Sequence, residues 1–477
     1  IDDVSVAGER AFSWQKEFPD VFKQGGFDVI IGNPPYVTRG MTEQMKHAIN
    51  SSFQTAQYQL DLYVAFIERG ADLIRSGGYF SYIVPNSWLK NMMMSECRKF
   101  ILANLDMRVL VPNLENVFAD ASVDTMIFTA IRQGLTNNTI IAEFKNHEIC
   151  YRHSVSQKRF LENDSSIFDV EVSEEVLPII NKMNSEIKLV GELFDVTRGI
   201  NPYDKYRGQS PEVIKTRAYH ADHKKDDTFV PELKGLHTSR YSYQWDGKHF
   251  ISYGNWLAAA RDPKYFTGQR IVFREILGRT LVSTLITEDF KIDRSLYIAK
   301  LENDFQDSID IKYVLGILNS TLMAFYFRYT NNEFDNLFPK IRVAEFKKLP
   351  IKNVSITNQK QIANAVETIL TLTKKFNSQV GNFFDLLQGK FEFEKFSKKL
   401  QNWHELNFKD FLKELKKAKV QLGLSEEAEW MQYFNEQKQK VRELKLEINR
   451  VDGEIDQMVY ELYGLTEEEI KVVEGEE

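Results

Sequence analysis

Along the first 135 positions the chain alternates two hydrophobic rhythms. Short apolar runs at 27–32, 79–84, 108–111 and 125–131 read as strands. Between them, 62–74 and 92–105 carry apolar residues at helical spacing. The run Phe27-Asp28-Val29-Ile30-Ile31 predicts a buried parallel strand that stops at Gly32. Arg75-Ser76-Gly77-Gly78 predicts a helix C-cap ahead of the next strand. This alternation is the pattern of an α/β sheet. Residues 136–185 are polar and mixed, and read as a connector. From 187 to 350 the chain turns rich in aromatics, glycine and basic residues, with strand-like runs at 270–273, 280–286 and 294–298, which predicts a mostly β segment. Helical periodicity takes over from Gln359. From Ser425 onward Met431, Phe434, Val441, Leu444, Ile448, Val451, Ile455, Val459 and Leu462 recur at spacings of three, four and seven, the seam of a helical hairpin or coiled coil.

At 477 residues the chain exceeds one hydrophobic core, and its boundaries are drawn at 1–185, 186–354 and 355–477. Its 43% hydrophobic and 27% charged content is that of an ordinary soluble protein. No apolar run approaches the roughly 18 residues of a membrane span. Cys97 and Cys150 are the only cysteines, and the eight histidines lack HxxxH or HExxH spacing. No disulfide framework and no metal centre is expected, and a cytoplasmic location is. The chain opens at Ile1 and runs into a strand without a cap, which reads as a fragment of a longer protein. The net charge of −7 hides an asymmetry. Residues 191–350 hold 24 basic and 21 acidic residues, against 61 and 68 in the whole chain. The middle segment is therefore basic relative to its flanks, which permits phosphate contacts.

Candidate chemistry concentrates at Asn33-Pro34-Pro35-Tyr36, directly after the first strand. Two prolines cannot continue a ladder and stiffen the turn. Open α/β sheets bind ligands at the carboxyl ends of their strands. There Asn33 offers a side-chain carbonyl, Pro34 a main-chain carbonyl without a competing N–H, and Tyr36 a flat ring. Two acceptors on one exocyclic NH2 draw its hydrogens out of the base plane and free the nitrogen lone pair for attack.

This turn resembles motif IV of the adenine-N6 DNA methyltransferases, and the order of the remaining segments resembles the TaqI-type, γ arrangement. Tyr58-Gln-Leu-Asp-Leu-Tyr63-Val-Ala-Phe66 is similar to the start of motif V. The resemblance maps a cofactor-contacting aromatic onto Phe66, which its helical spacing alone would equally place in a core. Gly77 to Leu89 is similar to motif VI. Glu115 to Arg132 is similar to motif VIII, where Phe118 takes the place of the ring that stacks on the flipped base opposite Tyr36. Gly191-Glu-Leu-Phe-Asp-Val-Thr-Arg198-Gly-Ile-Asn201-Pro-Tyr203 opens, and Leu337 to Pro350 closes, a segment resembling the TaqI-like C-terminal specificity domain. The tail from Ile455 is similar to those of large type IIG-like restriction–modification proteins.

The resemblance implies a partial Rossmann-like methyltransferase sheet in 1–185, a mostly β, mixed α+β target-recognition domain in 186–354, and a helical C-terminal region in 355–477. It implies S-adenosylmethionine as cofactor, and double-stranded DNA and an N-terminal part of the same protein as partners, with no membrane. Arg198, Lys205, Arg207, Lys234, Arg240, Arg261, Arg274, Arg279 and Lys340 stand in Gly- or aromatic-rich surroundings and are the DNA-binding candidates. The Gly-rich cofactor motif I is absent upstream of Phe27, and the stretch 381–389 lacks its spacing. The main cofactor site is therefore expected outside this chain, the fragment alone is expected to be inactive, and magnesium enters only with an upstream nuclease. The alternative is a specificity module that binds DNA without cofactor. Methylation of protein amides or of RNA is a third reading.

Overall fold

The computed structural model describes residues 12–36, 41–56, 61–114, 124–135, 138–278, 280–331, 340–391 and 397–475. The chain divides into two compact units, Ile1–Pro178 and Ile179–Glu477.

The first unit is built on a six-stranded mixed sheet: β1 (Phe27–Gly32), β2 (Ile74–Pro85), β3 (Asp106–Leu114), β4 (Thr125–Ile131), β5 (Asn138–Lys145) and β6 (Glu148–Ser156). The strand order is β1-β2-β4-β3-β5-β6. β1 runs parallel to β2 and β3 parallel to β5, while the other neighbours are antiparallel. One face carries the core. Phe80, Tyr82 and Val84 of β2 alternate inward with Met126, Phe128 and Ala130 of β4, and Trp88, Phe160 and Phe168 close over them. Helices α1 (Leu62–Leu73) and α2 (Ser95–Asn104) bury Tyr63, Val64, Ile67 and Cys97, Phe100, Ile101 against this face. Gly70 lets α1 lie directly on β2, since a Cβ there would meet the Phe80 ring at 2.4 Å.

The other face of the sheet is apolar; at its centre Val111, Leu114 and Ala142 are buried with Ile83, Val109 and Ile127 against them, while among the described residues its flanks are exposed. Val29, Ile31, Tyr79, Ile140, Phe144, Ile149 and Tyr151 are exposed. β1 is thus parallel as its sequence predicts but not buried, because it is an edge strand whose second face has no layer on it: Ile31 is 80% exposed. Two local expectations also change. Ile74 leaves the helix in extended conformation and starts β2, so Gly77, at φ +74°, lies within a strand rather than in a helix cap. The connector contributes the β5–β6 hairpin to the sheet.

Among the described residues the second unit holds two four-stranded sheets and two short strand pairs. β7 (Phe194–Arg198), β10 (Arg270–Arg274), β11 (Ser283–Ile286) and β12 (Leu296–Leu301) form one, in the order β11-β10-β12-β7, antiparallel throughout. β8 (Phe229–Leu233) and β9 (Phe250–Ser252) anchor the other, with Lys291–Ile292 and His220–Ala221 at its edges. Their shared core includes Ile200, Leu233, Ile251, Phe266, Val272 and Ile298. A short antiparallel pair joins Ile187–Leu189 to Pro350–Lys352.

Helices α3 (Ile311–Asn319) and α4 (Thr321–Thr330) lead to α5 (Ile356–Lys390), and after α6 (Phe408–Lys417) the chain returns along α7 (Leu424–Tyr463). Gly316 of α3 admits Ile362 of α5, whose Cγ2 would lie 2.7 Å from a Cβ. α5 and α7 are 35 and 40 residues long and antiparallel, bridged midway by Gln379 and Gln437. At the end where α5 finishes and α7 begins, Phe383, Trp403, Phe411 and Phe434 form an aromatic core. The stretch 381–389 is plain helix within α5. No described helix is long and apolar enough to cross a membrane.

Candidate functional site

β1 ends where its sequence predicts. Gly32 pairs with Tyr82, and a Cβ on Gly32 would sit 3.1 Å from the Tyr82 ring. Beyond it Asn33 is exposed, Pro34 buried, Pro35 exposed and Tyr36 half-buried, in extended chain without ladder bonds. Tyr36 donates its hydroxyl to the Ile83 carbonyl at 3.2 Å and packs on the core of the sheet. Burial pushes its phenol above the ordinary value. The turn therefore crosses the carboxyl ends of the parallel pair β1–β2, with the Asn33 amide left free to solvent on the rim.

The turn after β2 is fixed from below. Asn86 donates to the Pro112 carbonyl at 3.3 Å and to Asn113 Oδ1 at 3.0 Å. The Tyr63 hydroxyl lies 3.2 Å from Ser87 Oγ and 3.3 Å from Met94 Sδ, and burial raises its pKa strongly. Phe66 is on α1 but not in its buried stripe, and is 43% exposed. Asp61 stands at the N-cap of the same helix, with a carboxyl raised by burial. Phe118 and Tyr58 lie outside the described residues.

The basic candidates of the second unit sort into distinct environments. Arg198, Arg207 and Arg261 gather around the segment Gly199–Pro202: Arg198 donates to the Arg294 carbonyl at 2.9 Å, Arg261 to the Gly199 carbonyl at 3.2 Å, and Arg207 to the Ala258 carbonyl at 3.1 Å. Lys205 is exposed, with its ammonium 4.7 Å from the Tyr206 ring. Lys340 is exposed, and Arg274 half-buried in β10. Lys234 is spent internally, 3.1 Å from the fully buried Glu232. Arg240 holds both carboxylate oxygens of Asp452 and the Asn319 carbonyl, each at 2.8 Å. Arg279 lies outside the described residues.

Two arrangements were not foreseen from sequence. The Tyr219 N–H donates to the Tyr203 oxygen at 3.0 Å, the Tyr203 hydroxyl lies 2.8 Å from His220 Nδ1, and His220 Nε2 stands 3.3 Å from Glu232. No spacing rule links these residues, because β8 and the 220–221 edge meet only through β9. His237, Asp246 and His249 bring potential metal-ligating atoms within 4.8 Å of one another. His237 Nδ1, however, accepts the Lys234 N–H at 3.1 Å, so the proton of its neutral ring sits on Nε2, facing Asp246 at 3.5 Å. A ligating histidine presents the opposite pattern, donating from its non-ligating nitrogen. His249 Nδ1 lies 2.8 Å from Asp246, while buried His237 Nε2 has no hydrogen-bond partner among the described residues, and burial holds His237 below its ordinary pKa.

Residues 1–118 match the family described as the Eco57I restriction-modification methylase, and residues 230–351 the TaqI-like C-terminal specificity domain. The chain carries an Eco57I-type methylase segment followed by a TaqI-like specificity domain. Residues 355–459, the α5–α7 hairpin of this methylase-related chain, match a domain of unknown function (DUF8810). Among curated relatives, RM.MjaORFECS2P of Methanocaldococcus jannaschii, named for type II restriction and methyltransferase activity, is 23% identical over 387 residues, covering 78% of this chain and 31% of that protein. The type II restriction enzyme and methyltransferase RM.Eco57I of Escherichia coli is 24% identical over 185 residues, 36% of this chain and 18% of its own length. The chain thus spans less than a third of the length of these relatives. Among solved structures, the type IIL restriction-modification enzyme MmeI in complex with DNA aligns with 89% of this chain and 59% of its own, at 12% identity and a TM-score of 0.46. In both relatives restriction and methylation share one polypeptide by name, as the resemblance of the sequence implies.

Proposed function

We propose that this chain is the base-binding and target-recognising portion of a sequence-specific adenine-N6 DNA methyltransferase within a restriction–modification protein. The observation that carries the reading is the Asn33–Tyr36 turn, held at the carboxyl ends of β1 and β2 by the Tyr36–Ile83 bond with Asn33 exposed. On this reading, residues 1–185 form the catalytic segment, 186–354 recognise the target and 355–477 are a helical region.

An adenine extruded from the duplex places its N6 amine against the Asn33 side-chain and Pro34 main-chain carbonyls. Both oxygens accept, which pulls the amine hydrogens out of the ring plane and exposes the nitrogen lone pair. Tyr36 supplies one stacking face and Phe118 the other, replacing the stacking lost from the duplex. S-adenosylmethionine supplies the methyl group as an electrophile. The exposed Phe66 ring fits contact with the cofactor's base, while its principal binding motif lies in the preceding part of the longer protein. The reaction is an in-line displacement at carbon, so these residues act by positioning. The exposed apolar residues beside β1 and its place at the end of the strand order support a doubly wound sheet completed by that preceding part. Val29, Ile31 and Tyr79 are exposed and would be stabilised on being covered.

The test is to express the complete protein and digest the duplex DNA it has treated. N6-methyladenine at one sequence is the expected product. Methylated cytosine, RNA or protein as the sole product overturns the reading. The competing reading, a specificity module without catalysis, is favoured by the absence of a motif I loop in this chain. It prevails if the complete protein binds duplex DNA specifically but neither binds S-adenosylmethionine nor methylates.

A further inference from the structure

We propose that Arg198, Arg207, Arg261 and Arg294 form a clamp for a single phosphodiester group of duplex DNA, built around the rigid segment Gly199–Pro202. The inference rests on the DNA reading above and adds to it a defined ligand group, a defined place and one residue, Arg294, that sequence alone did not single out.

The segment is fixed on both sides by its backbone. Gly199 and Ile200 donate to the Leu296 and Ile292 carbonyls at 2.9 and 2.7 Å, and Asn201 and Ala259 exchange a pair of main-chain bonds at 3.1 and 2.8 Å. Only glycine fits at position 199, because a Cβ would lie 2.2 Å from the Asp293 carbonyl oxygen. Four guanidinium groups are anchored on or beside this scaffold. Arg198 reaches the Arg294 carbonyl and, at 2.7 Å, Glu275. Arg261 reaches the Gly199 carbonyl, Arg207 the Ala258 carbonyl, and Arg294 approaches Asn201 Oδ1 at 3.4 Å. Each side chain is thereby positioned by one or two bonds, and each keeps further N–H groups unspent.

The charges in this cluster do not balance. Glu275 faces Arg198, but among the described residues Arg207, Arg261 and Arg294 form no ion pair. Burial, and then the charges of Arg198 and Arg207, hold Arg261 below the ordinary arginine pKa. Arg261 is also held at φ +68°, a left-handed conformation that a side chain adopts at a cost and that persists only where surroundings impose it. Guanidinium charges that outnumber the single facing carboxylate, Glu275, are stabilised by a bound anion. Phosphate oxygens accept several forked guanidinium bonds at once, whereas a neutral base edge leaves the surplus charge in place. The anchoring carbonyls belong to residues 199, 258 and 294 of directly bonded segments, which sets the four side chains around one short stretch of backbone, and the proposal assigns them to one phosphate.

The test uses the full chain, the double variant Arg207→Gln with Arg261→Gln, and the triple variant with Arg294→Gln added. Melting temperature is measured with inorganic phosphate and with sodium chloride of equal ionic strength. Affinity for a 30-base-pair duplex is measured across a salt series. Phosphate is expected to raise the melting temperature of the parent and not of the variants, whose melting temperature without phosphate equals or exceeds the parent's because repulsion is relieved. Duplex binding is expected to weaken about tenfold in the double variant, and the slope of log affinity against log salt to fall by about one in both variants, since one phosphate is lost in each. A slope that falls by about one per arginine overturns the single-phosphate clamp. Variants that melt lower than the parent and keep its phosphate response overturn it as well, since the arginines are then structural. A parent that responds to phosphate but binds no duplex leaves the anion site standing and overturns the DNA reading.

Discussion

Tyr36 donates its phenolic O–H to the main-chain carbonyl of Ile83 at 3.2 Å, tying the turn after β1 to a strand 47 residues further along the chain. The two prolines before it stiffen the backbone, and this bond fixes where the ring ends up. A ring tethered at its hydroxyl and packed on the core is held in place, which on the proposed reading lets it receive a base without reordering. The bond therefore joins a local sequence property to the long-range register of β1 on β2, in which Gly32 lies opposite Tyr82.

From this follows a graded outcome for two substitutions in the complete protein. Tyr36→Ala removes the stacking face and should weaken binding of an extrahelical adenine by about 1–3 kcal/mol. Tyr36→Phe keeps the face and loses one hydrogen bond of about 1 kcal/mol, so flipping persists while methylation slows several-fold. Phe118→Ala should behave like Tyr36→Ala. A fluorescent adenine analogue at the target position reports flipping. Unchanged flipping in Tyr36→Ala and Phe118→Ala would leave both as structural aromatics.

Asn33 tests the chemistry itself. Its side chain is exposed, so Asn33→Ala should leave melting behaviour and DNA binding unchanged. Methylation should fall by at least a hundredfold, because the lost acceptor acts on the amine as it becomes nucleophilic and not on the bound ground state. Single-turnover methylation of a labelled duplex measures this. Normal turnover in the variant removes Asn33 from the mechanism.

Much of the first unit was legible because its signals are local. An apolar run closed by Gly32, Asn33 and two prolines needs no tertiary information to read as a strand and a rim turn, and 125–131 is a strand with the bounds its pattern gives. What escaped depended on partners distant in sequence. Val29 and Ile31 read as buried because the run is continuously apolar, yet an edge strand without a second layer exposes half of such a run. Phe66 falls at helical spacing with core residues, and only the packing of α1 on β2 turns it outward. Arg240 and Lys234 stand among glycines and aromatics like their exposed neighbours, and nothing local announces that Asp452 or Glu232 will claim them. Arg294 escaped for the converse reason, since its place in the cluster is set by β12 pairing with β7.

Arg240 and Asp452 form a largely buried, two-pronged ion pair between the β-rich segment and α7. Burial draws the Arg240 guanidinium down, but the charge and hydrogen bonds of Asp452 and the charge of Asp456 help hold its pKa above the ordinary value. Removing one partner strands the other, so Arg240→Met and Asp452→Asn should each destabilise the chain by about 2–3 kcal/mol. The double variant should lose less than the sum. Urea denaturation midpoints decide this. The salt slope of DNA binding should stay unchanged in Arg240→Met. A fall of about one would assign Arg240 to a phosphate after all.

Three histidines should contribute to the response to acid. Burial is the first cause of a lowered pKa at His153, His237 and His404. At His404 the imidazole lies among Phe376 and Trp403, and its Nδ1 is buried without a hydrogen bond. Glu405 pulls its pKa up, and Lys445 and Lys438 push it down, both by less than burial does. A group whose folded pKa is depressed adds stability that is fully present above its unfolded value, about 6.5 for histidine, and lost as pH falls through the folded value. Stability should therefore hold from pH 8 to 7 and decline steadily as pH drops below about 6.5. His404→Phe replaces a ring that must stay neutral with one that never titrates, in surroundings already aromatic. Its urea midpoint at pH 7.5 should match or exceed the parent's, and the loss on going to pH 5.5 should be smaller. An identical loss in parent and variant would show that His404 takes its proton in place, and would shift the acid sensitivity to His153 and His237.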